Sequence, residues 1–392
     1  MLEEADVCGQ KRVRSPICMK GIANRGVPQM EKSISDRTIL NSSLRDFFKD
    51  AFTITLRNPT QAFSFLRTLF WLKKAANVRE RWKRKGYRVP PILIFSITNQ
   101  CNLKCPGCYN QSFHKSSGEE LSDNKVSQLV AEAKELGISF FVIAGGEPLL
   151  RPVLLDVMNE YPEIIFLVFT NGTLIDDKII ERFRRQRNVV PMISLEGNQK
   201  ETDERRGEGT FEQLQQIMKR MRKLSIFFGL SLTLVRKNFA TITAEEFIEK
   251  CAKLGCKFFL FIEYTPTLEG TEDWVLTEEQ RSQVRGMMRD YRSKYPCLFI
   301  AVPWDEDDVG GCLSAGRGFV HINASGDLEP CPFAPFSDTN VRDRALKDAL
   351  QSKLCEKIRQ IPQLSRERGG GCVLWKEREL VQSLLKNPDA PM

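Results

Sequence analysis

A chain of 392 residues with 42% hydrophobic and 28% charged side chains has the composition of a globular protein with one large core, and no apolar run reaches the roughly 20 residues of a membrane-spanning helix. Two histidines, His114 and His321, exclude a multi-histidine metal site and count against a histidine-based catalytic triad. The net charge of +8 is compatible with nucleic acid, an anionic membrane surface or an acidic substrate, and selects none of them.

Residues 1–40 mix charge, Gly and Pro without periodicity and are expected to form a mobile leader. The start, MLEEADVCGQ, is acidic and lacks an apolar stretch, so no secretory signal is expected; in a cytoplasmic protein the 12 cysteines stay reduced or metal-bound. Residues 41–90 read as a helical extension. Phe47, Phe48, Ala51 and Phe52, then Ala62, Phe65, Leu66, Leu69, Phe70 and Leu72, recur at helical spacing on either side of Asn58-Pro59-Thr60, which predicts two amphipathic helices. Arg79, Arg81, Lys83, Arg84 and Lys85 close the second helix. They read as a solvated helix end or, together with the apolar face, as a peripheral membrane contact through residues 44–88.

From Pro91 the pattern alternates. The runs ILIFSIT, FFVIAG, IIFLVFT, VVPMISL, IFFGLSLTLV and KFFLFIEY are separated by segments of helical period such as KVSQLVAEAKELG and TFEQLQQIMKRMRKL. Runs this apolar suit parallel strands covered on both faces by helices. Six such units over 92–263 are short of the roughly 250 residues of a closed eight-stranded barrel, so the predicted class is α/β, an incomplete (β/α)6 barrel over 91–300. Residues 301–392 turn to Gly, Pro and Asp with four cysteines and are expected to form a small separate domain.

The chemistry is concentrated after the first strand, in Cys101-Asn102-Leu103-Lys104-Cys105-Pro106-Gly107-Cys108. Three thiols on one loop at a strand's C-terminal end can converge on one metal centre at the face where barrel sites form, whereas structural zinc wants four ligands. A three-thiolate loop leaves one iron of a cubane cluster open. Gly145-Gly146-Glu147-Pro148 ends the second strand, with glycines for close backbone approach and a carboxylate for a cationic amine.

With these two motifs in place, the chain from about 91 to 375 resembles the radical S-adenosylmethionine (radical SAM) superfamily. That resemblance implies a 4Fe-4S cluster on Cys101, Cys105 and Cys108. It also implies S-adenosylmethionine bound at the open iron, reductive cleavage to methionine and a 5'-deoxyadenosyl radical, and hydrogen abstraction from a substrate C–H bond. It assigns the methionine amino group to Gly145, Gly146 and Glu147. Further cosubstrate contacts fall to Thr170 and Asn171, to Ser194 and Arg206 for the carboxylate and ribose with Arg205 as a rival, and to Leu234 and Val235 along the adenine. The sequence departs from the common pattern in having Gly107, not an aromatic, before the third cysteine, with Tyr109 following it.

Cys312, Cys331 and Cys372 lie in Gly- or Pro-rich turns, and Cys355 lies in a helical pattern. The segment resembles the auxiliary iron-sulfur domain called SPASM or, shortened, twitch. That implies an auxiliary cluster on Cys312, Cys331 and Cys372, with Cys355 either a further ligand or core; zinc on the four is the alternative. Cys8, Cys18, Cys251, Cys256 and Cys297 read as bystanders. Glu263 and Tyr264, ending the sixth strand, are candidates for substrate contact or proton transfer. The resemblance implies a reducing partner such as ferredoxin or flavodoxin, and a peptide or protein substrate. A lipid-linked or other small-molecule substrate is the alternative, nucleic acid is disfavoured, and a non-catalytic electron carrier is the rival from another class.

Overall fold

The computed structural model describes residues 59–113, 118–366 and 372–386, with the first helical turns from Pro59 described in backbone only. Of the two units into which the chain divides, Met1–Ser35 lies outside these residues, as do the first expected helix, Cys8, Cys18 and His114. The second expected helix is α1, Pro59–Arg84, with Pro59 at its first position, where a missing N–H costs nothing. It leads into β1, Ile92–Thr98, and then α2, Asp123–Leu136. Ser122 caps α2, its hydroxyl accepting from the Lys125 amide at 3.3 Å, and Gly137 ends it at φ 85°. A Cβ at Gly137 would stand 2.6 Å from the Ala75 carbonyl, so α1 rests directly on that turn.

Strands and helices then alternate: β2 Phe140–Gly145, α3 Val153–Glu160, β3 Ile165–Thr170, α4 Asp177–Arg185, β4 Val189–Leu195, α5 Gln199–Arg206 and α6 Thr210–Lys223. They continue as β5 Gly229–Leu234, α7 Glu245–Lys253, β6 Phe258–Glu263 and α8 Glu278–Lys294. All six expected runs are parallel strands in sequence order. A seventh, β7 Leu298–Val302, pairs parallel with β6 through Phe258↔Leu298. It straddles the expected end of the barrel at residue 300. The sheet stays open, and on its other side it continues into the C-terminal cysteine region: β8 Phe319–Ile322 lies parallel to β1, and β9 Leu328–Glu329 runs antiparallel to β8. Two helices follow, α9 Lys353–Gln360 and α10 Arg378–Lys386.

The expectation that both faces of the strands are covered needs correction. Phe166, Val168, Ile193, Leu230, Leu232, Phe259 and Phe261 are sealed in the main core with helix residues such as Leu129, Leu214 and Ile248. The alternate residues Leu167, Phe169, Val190, Leu260 and Ile300 are only half-buried, around a smaller cluster of Met192, Phe258 and Leu298. An open barrel has helices outside and no second layer within, so one face is packed and the other is a half-open apolar lining. Strand parity therefore sorts every candidate residue between two environments.

Candidate active site

The Cys101–Cys108 loop is fastened before its first thiol. Glu120 accepts from the Thr98 hydroxyl at 2.9 Å and from the Asn99 amide at 2.8 Å. From the other side the Gly-Gly-Glu turn is laced to the same backbone, Gly146 N to Thr98 O at 2.7 Å and Glu147 N to Gln100 O at 2.8 Å. A Cβ at Gly146 would fall 1.9 Å from the Gln100 carbonyl oxygen, and one at Gly145, where φ is 111°, would fall 2.4 Å from that of Thr98. Here the two glycines admit the cysteine loop's own backbone, a constraint that holds with or without a ligand.

Glu147 is buried and serves as a strut. Its carboxylate accepts from the Thr170 hydroxyl at 2.8 Å, the Leu149 amide at 3.1 Å and the Asn171 amide at 2.7 Å. Burial pushes its carboxyl above the ordinary value, and these donors pull it back only in part. Asn171 reaches the cysteine loop, giving a hydrogen bond to Asn102 Oδ1 at 2.9 Å with Cys101 Sγ at 3.9 Å.

Both arginines of the α5 end turn to one buried acid that sequence reasoning missed. Glu196 receives Arg205 Nη1 at 2.6 Å and Arg206 Nε at 3.0 Å, and Arg205 Nε also donates to the Pro106 carbonyl at 3.2 Å. Burial pushes the Glu196 carboxyl up, but the two guanidinium groups outweigh it and hold it below the usual carboxylate range. Burial raises the Cys101 and Cys105 thiols, and at Cys105 the positive charge of Arg206 and Arg205 opposes the rise. Only the position of Glu196, one residue past a strand end, could have flagged it.

Parity separates the remaining candidates. Ser194 and Val235 are half-buried on the open face, while Leu234 is sealed in the core beneath the helices. Glu263 shares the parity of Phe259 and Phe261 and is paired with Arg281 of α8. Tyr264 has the opposite parity and lies against the cysteine loop: a Cβ at Gly107, φ 70°, would fall 2.9 Å from its hydroxyl and 2.6 Å from Trp274 Cζ3. Trp274 and Tyr264 pack ring to ring at 5.4 Å. Burial pushes the Tyr264 phenol up. The place of an aromatic at position 107 is thus filled from the β6–α8 segment. Tyr109 does not fill that place: its ring lies 5.3 Å from that of Phe333, and its hydroxyl contacts Ser96 and the Gly145 backbone.

In the C-terminal region Cys312, Cys331 and Cys372 are mutual neighbours. Cys331 is pushed well up by its thiol contact with Cys372 and by burial, and Cys312 by burial, Glu306 and Cys372. Their turns are joined by Ala315 N to Pro330 O at 2.9 Å and Cys312 N to Ser365 O at 2.8 Å. Cys355 stands in α9 with Ser352, Arg359 and Asp338 as polar neighbours, and burial raises it to about 11. Cys251, Cys256 and Cys297 are buried, and burial raises their thiols. Among the described residues, no three His, Cys, Asp or Glu side chains are gathered as tightly as a bound metal would hold them. The donor chemistry fits iron-sulfur ligation in both trios: three thiols each, with Glu147 near Cys101 and Glu306 near Cys312 as neighbouring carboxylates.

His321, set aside by sequence, joins Ser96 and Glu329 in a chain of 2.8 and 2.7 Å between β1, β8 and β9. All three are sealed from solvent, so the chain clasps the C-terminal strands to the barrel and is no hydrolytic triad.

Residues 95–239, which hold the three-cysteine loop and the Gly-Gly-Glu turn, match the family described as "Radical SAM superfamily", so the chain carries a radical SAM domain. That superfamily is an enzyme class that uses S-adenosylmethionine and a 4Fe-4S cluster. The chain is 24% identical over 309 residues to the AdoMet-dependent heme synthase of Methanosarcina barkeri, covering 71% of this chain and 88% of that protein. It is 26% identical over 290 residues to the subtilosin biosynthesis protein AlbA of Bacillus subtilis, covering 70% of this chain and 62% of that one. SuiB of Streptococcus suis, solved bound to precursor peptide SuiA, shares the fold with a TM-score of 0.58 at 18% identity, over 77% of this chain and 72% of that one.

Proposed function

We propose that this enzyme cleaves S-adenosylmethionine reductively at a cluster held by Cys101, Cys105 and Cys108, and removes hydrogen from a C–H bond of a peptide or protein. The observation that carries the reading is the lacing of a three-thiol loop to the Gly145-Gly146-Glu147 turn at the C-terminal end of β1 and β2. A cluster held by the Cys101, Cys105 and Cys108 thiols would supply the electron for reductive cleavage of the sulfonium of S-adenosylmethionine. The chain's own residues hold and orient. Glu147, Thr170 and Asn171 keep the strand ends in register beside Cys101, and the remaining carboxylate lone pair of Glu147 is the acceptor offered to the methionine amine. Arg206, with Arg205, presents positive charge at Cys105, suited to the methionine carboxylate; Ser194 and Val235 face the open side and would contact the ribose and adenine. Leu234 supports Val235 from the core, and Glu263 with Arg281 fixes the end of β6.

The apolar half-open lining of Leu167, Phe169, Leu260 and Ile300 suits a chain with hydrophobic side chains, and the likeness to a bacteriocin biosynthesis protein and to a fold solved with a precursor peptide favours a peptide. Cys312, Cys331 and Cys372 would hold the auxiliary cluster, and a ferredoxin or flavodoxin would deliver the electron. Anaerobic reconstitution with dithionite should yield 5'-deoxyadenosine. Equal traces from wild type and Cys105→Ala would sink the proposal. A second reading, a lipid-linked substrate at a membrane surface, rests on Leu66 and Phe70, exposed in the N-terminal half of α1, with Arg81, Lys83 and Arg84 in its last turn. No helix of the described residues is long and apolar enough to cross a membrane. Arg79 is not free for headgroups, because it donates to the Gly137 carbonyl, and burial lowers its pKa to about 10. Flotation with anionic liposomes, full chain against a chain starting at Val89, decides: equal recovery in the unbound fraction removes the lipid reading.

A further inference from the structure

The segment Pro106-Gly107-Cys108 is held from two sides. Arg205 grips the Pro106 carbonyl at 3.2 Å, and the Tyr264–Trp274 pair presses on Gly107. Trp274 is fixed by its backbone, with Arg236 N donating to its carbonyl at 2.8 Å and its own amide donating to Thr271 O at 3.1 Å. Tyr264 is 4% exposed, and its hydroxyl is buried without a hydrogen-bond partner of normal geometry. The neighbouring Thr271 hydroxyl gives its proton to the Leu268 carbonyl at 2.6 Å and lies beside the phenol, close enough to lower its pKa, without making a hydrogen bond of normal geometry to it. A buried phenol left unpaired costs about 1–3 kcal/mol, so such a group calls for a partner that arrives later. The hydroxyl sits 2.9 Å from where a Gly107 Cβ would be, one residue from the third thiol of the loop.

We infer that Tyr264 donates its hydroxyl hydrogen bond to the sulfur surface of the cluster on the Cys101–Cys108 loop, at Cys108 Sγ or an adjacent sulfide, and so raises the reduction potential of that cluster. The inference rests on the cluster assignment proposed above. Hydrogen bonds to cluster sulfur stabilise the more negative, reduced state. Gly107 is what admits the phenol: any side chain there would occupy the approach. Tyr264 thereby has a task distinct from substrate contact, and Trp274 positions it.

The test is a redox titration of the full-length, anaerobically reconstituted protein, followed by electron paramagnetic resonance on the signal that responds to S-adenosylmethionine. Tyr264→Phe should load the same iron, yet at a fixed potential its reduced-to-oxidised ratio should fall about three- to tenfold, tenfold corresponding to about 59 mV for one electron. Trp274→Phe, which keeps the ring and the donor, should stay close to wild type. A fully loaded Tyr264→Phe protein with the wild-type midpoint overturns the inference and leaves the cluster assignment standing. A wild type with no signal responsive to S-adenosylmethionine overturns the assignment beneath it. Should Tyr264→Phe load poorly, Tyr109→Phe protein carrying ring-deuterated tyrosine must show deuterium coupled to the reduced cluster; its absence overturns the inference equally.

Discussion

The two cysteine trios are built by opposite means. Cys101, Cys105 and Cys108 lie within eight residues on one loop, and their thiols are exposed or half-buried. Cys312, Cys331 and Cys372 come from three turns spread over 61 residues; Cys312 and Cys331 are buried, and Cys372 is half-buried. The first trio needs only a short strand-to-helix connection and leaves a side open, as a site for a cosubstrate requires. The second exists only once β8, the turn at Cys331 and the chain after α9 have packed. On the proposed function, openness falls to the trio that would meet a small molecule, and enclosure to the auxiliary one.

The sharpest way to break this contrast is to remove one thiol from each. Cys105→Ala should abolish 5'-deoxyadenosine formation to the reagent background, because an open cluster with two remaining ligands is labile. Cys331→Ala should lose only the auxiliary iron and keep cosubstrate cleavage within about tenfold, the lower range for losing a partner outside the ligand set. Iron analysis beside product yield checks both, and equal loss in the two variants would erase the distinction.

Next in size is Glu196→Gln, which strands Arg205 and Arg206 over the open trio. Breaking a buried ion pair costs about 3–5 kcal/mol, to be read by chemical denaturation. The sign in pH follows from the direction of the shift. The folded-state value of Glu196 lies below its unfolded value, so its contribution is full above the ordinary carboxylate range and is lost as pH falls through the lower folded value. The stability gap between wild type and variant should therefore narrow in acid and stay constant near neutrality.

Gly107→Ala should cost about 1–3 kcal/mol, the usual penalty for overpacking a tight site. It adds a methyl 2.6 Å from the Trp274 ring at a positive φ. Pairing it with Trp274→Ala should recover part of the loss. The smallest effect is expected at Cys355→Ala, a cavity of one sulfur in α9 worth about 1 kcal/mol, with iron content unchanged. Loss of iron there would make Cys355 a ligand and redraw the enclosed trio.

Much of the molecule is legible in chain order alone. The strand runs are continuous in apolar residues, and period and length separate strand from helix when both are long; β7 escapes because five residues carry too little pattern. The cysteine loop and the glycine turn are legible because their chemistry is local, set by spacing within eight residues. What chain order does not reveal is facing. Glu263 and Tyr264 are adjacent in sequence, yet alternation along β6 sends one carboxylate to α8 and the neighbouring phenol to the cysteine loop. Leu234 and Val235 divide in the same way, one into the core and one toward the open side. Glu196, Trp274 and the Ser96–His321–Glu329 clasp are invisible for a related reason. Their partners lie far away in sequence, and a buried polar group declares itself only when the groups that satisfy it, or fail to, are in place. The local sequence determines which chemistry the chain carries; the packing of the sheet decides which of two faces each residue serves, because a strand has a period of two and only the helices say which side is covered.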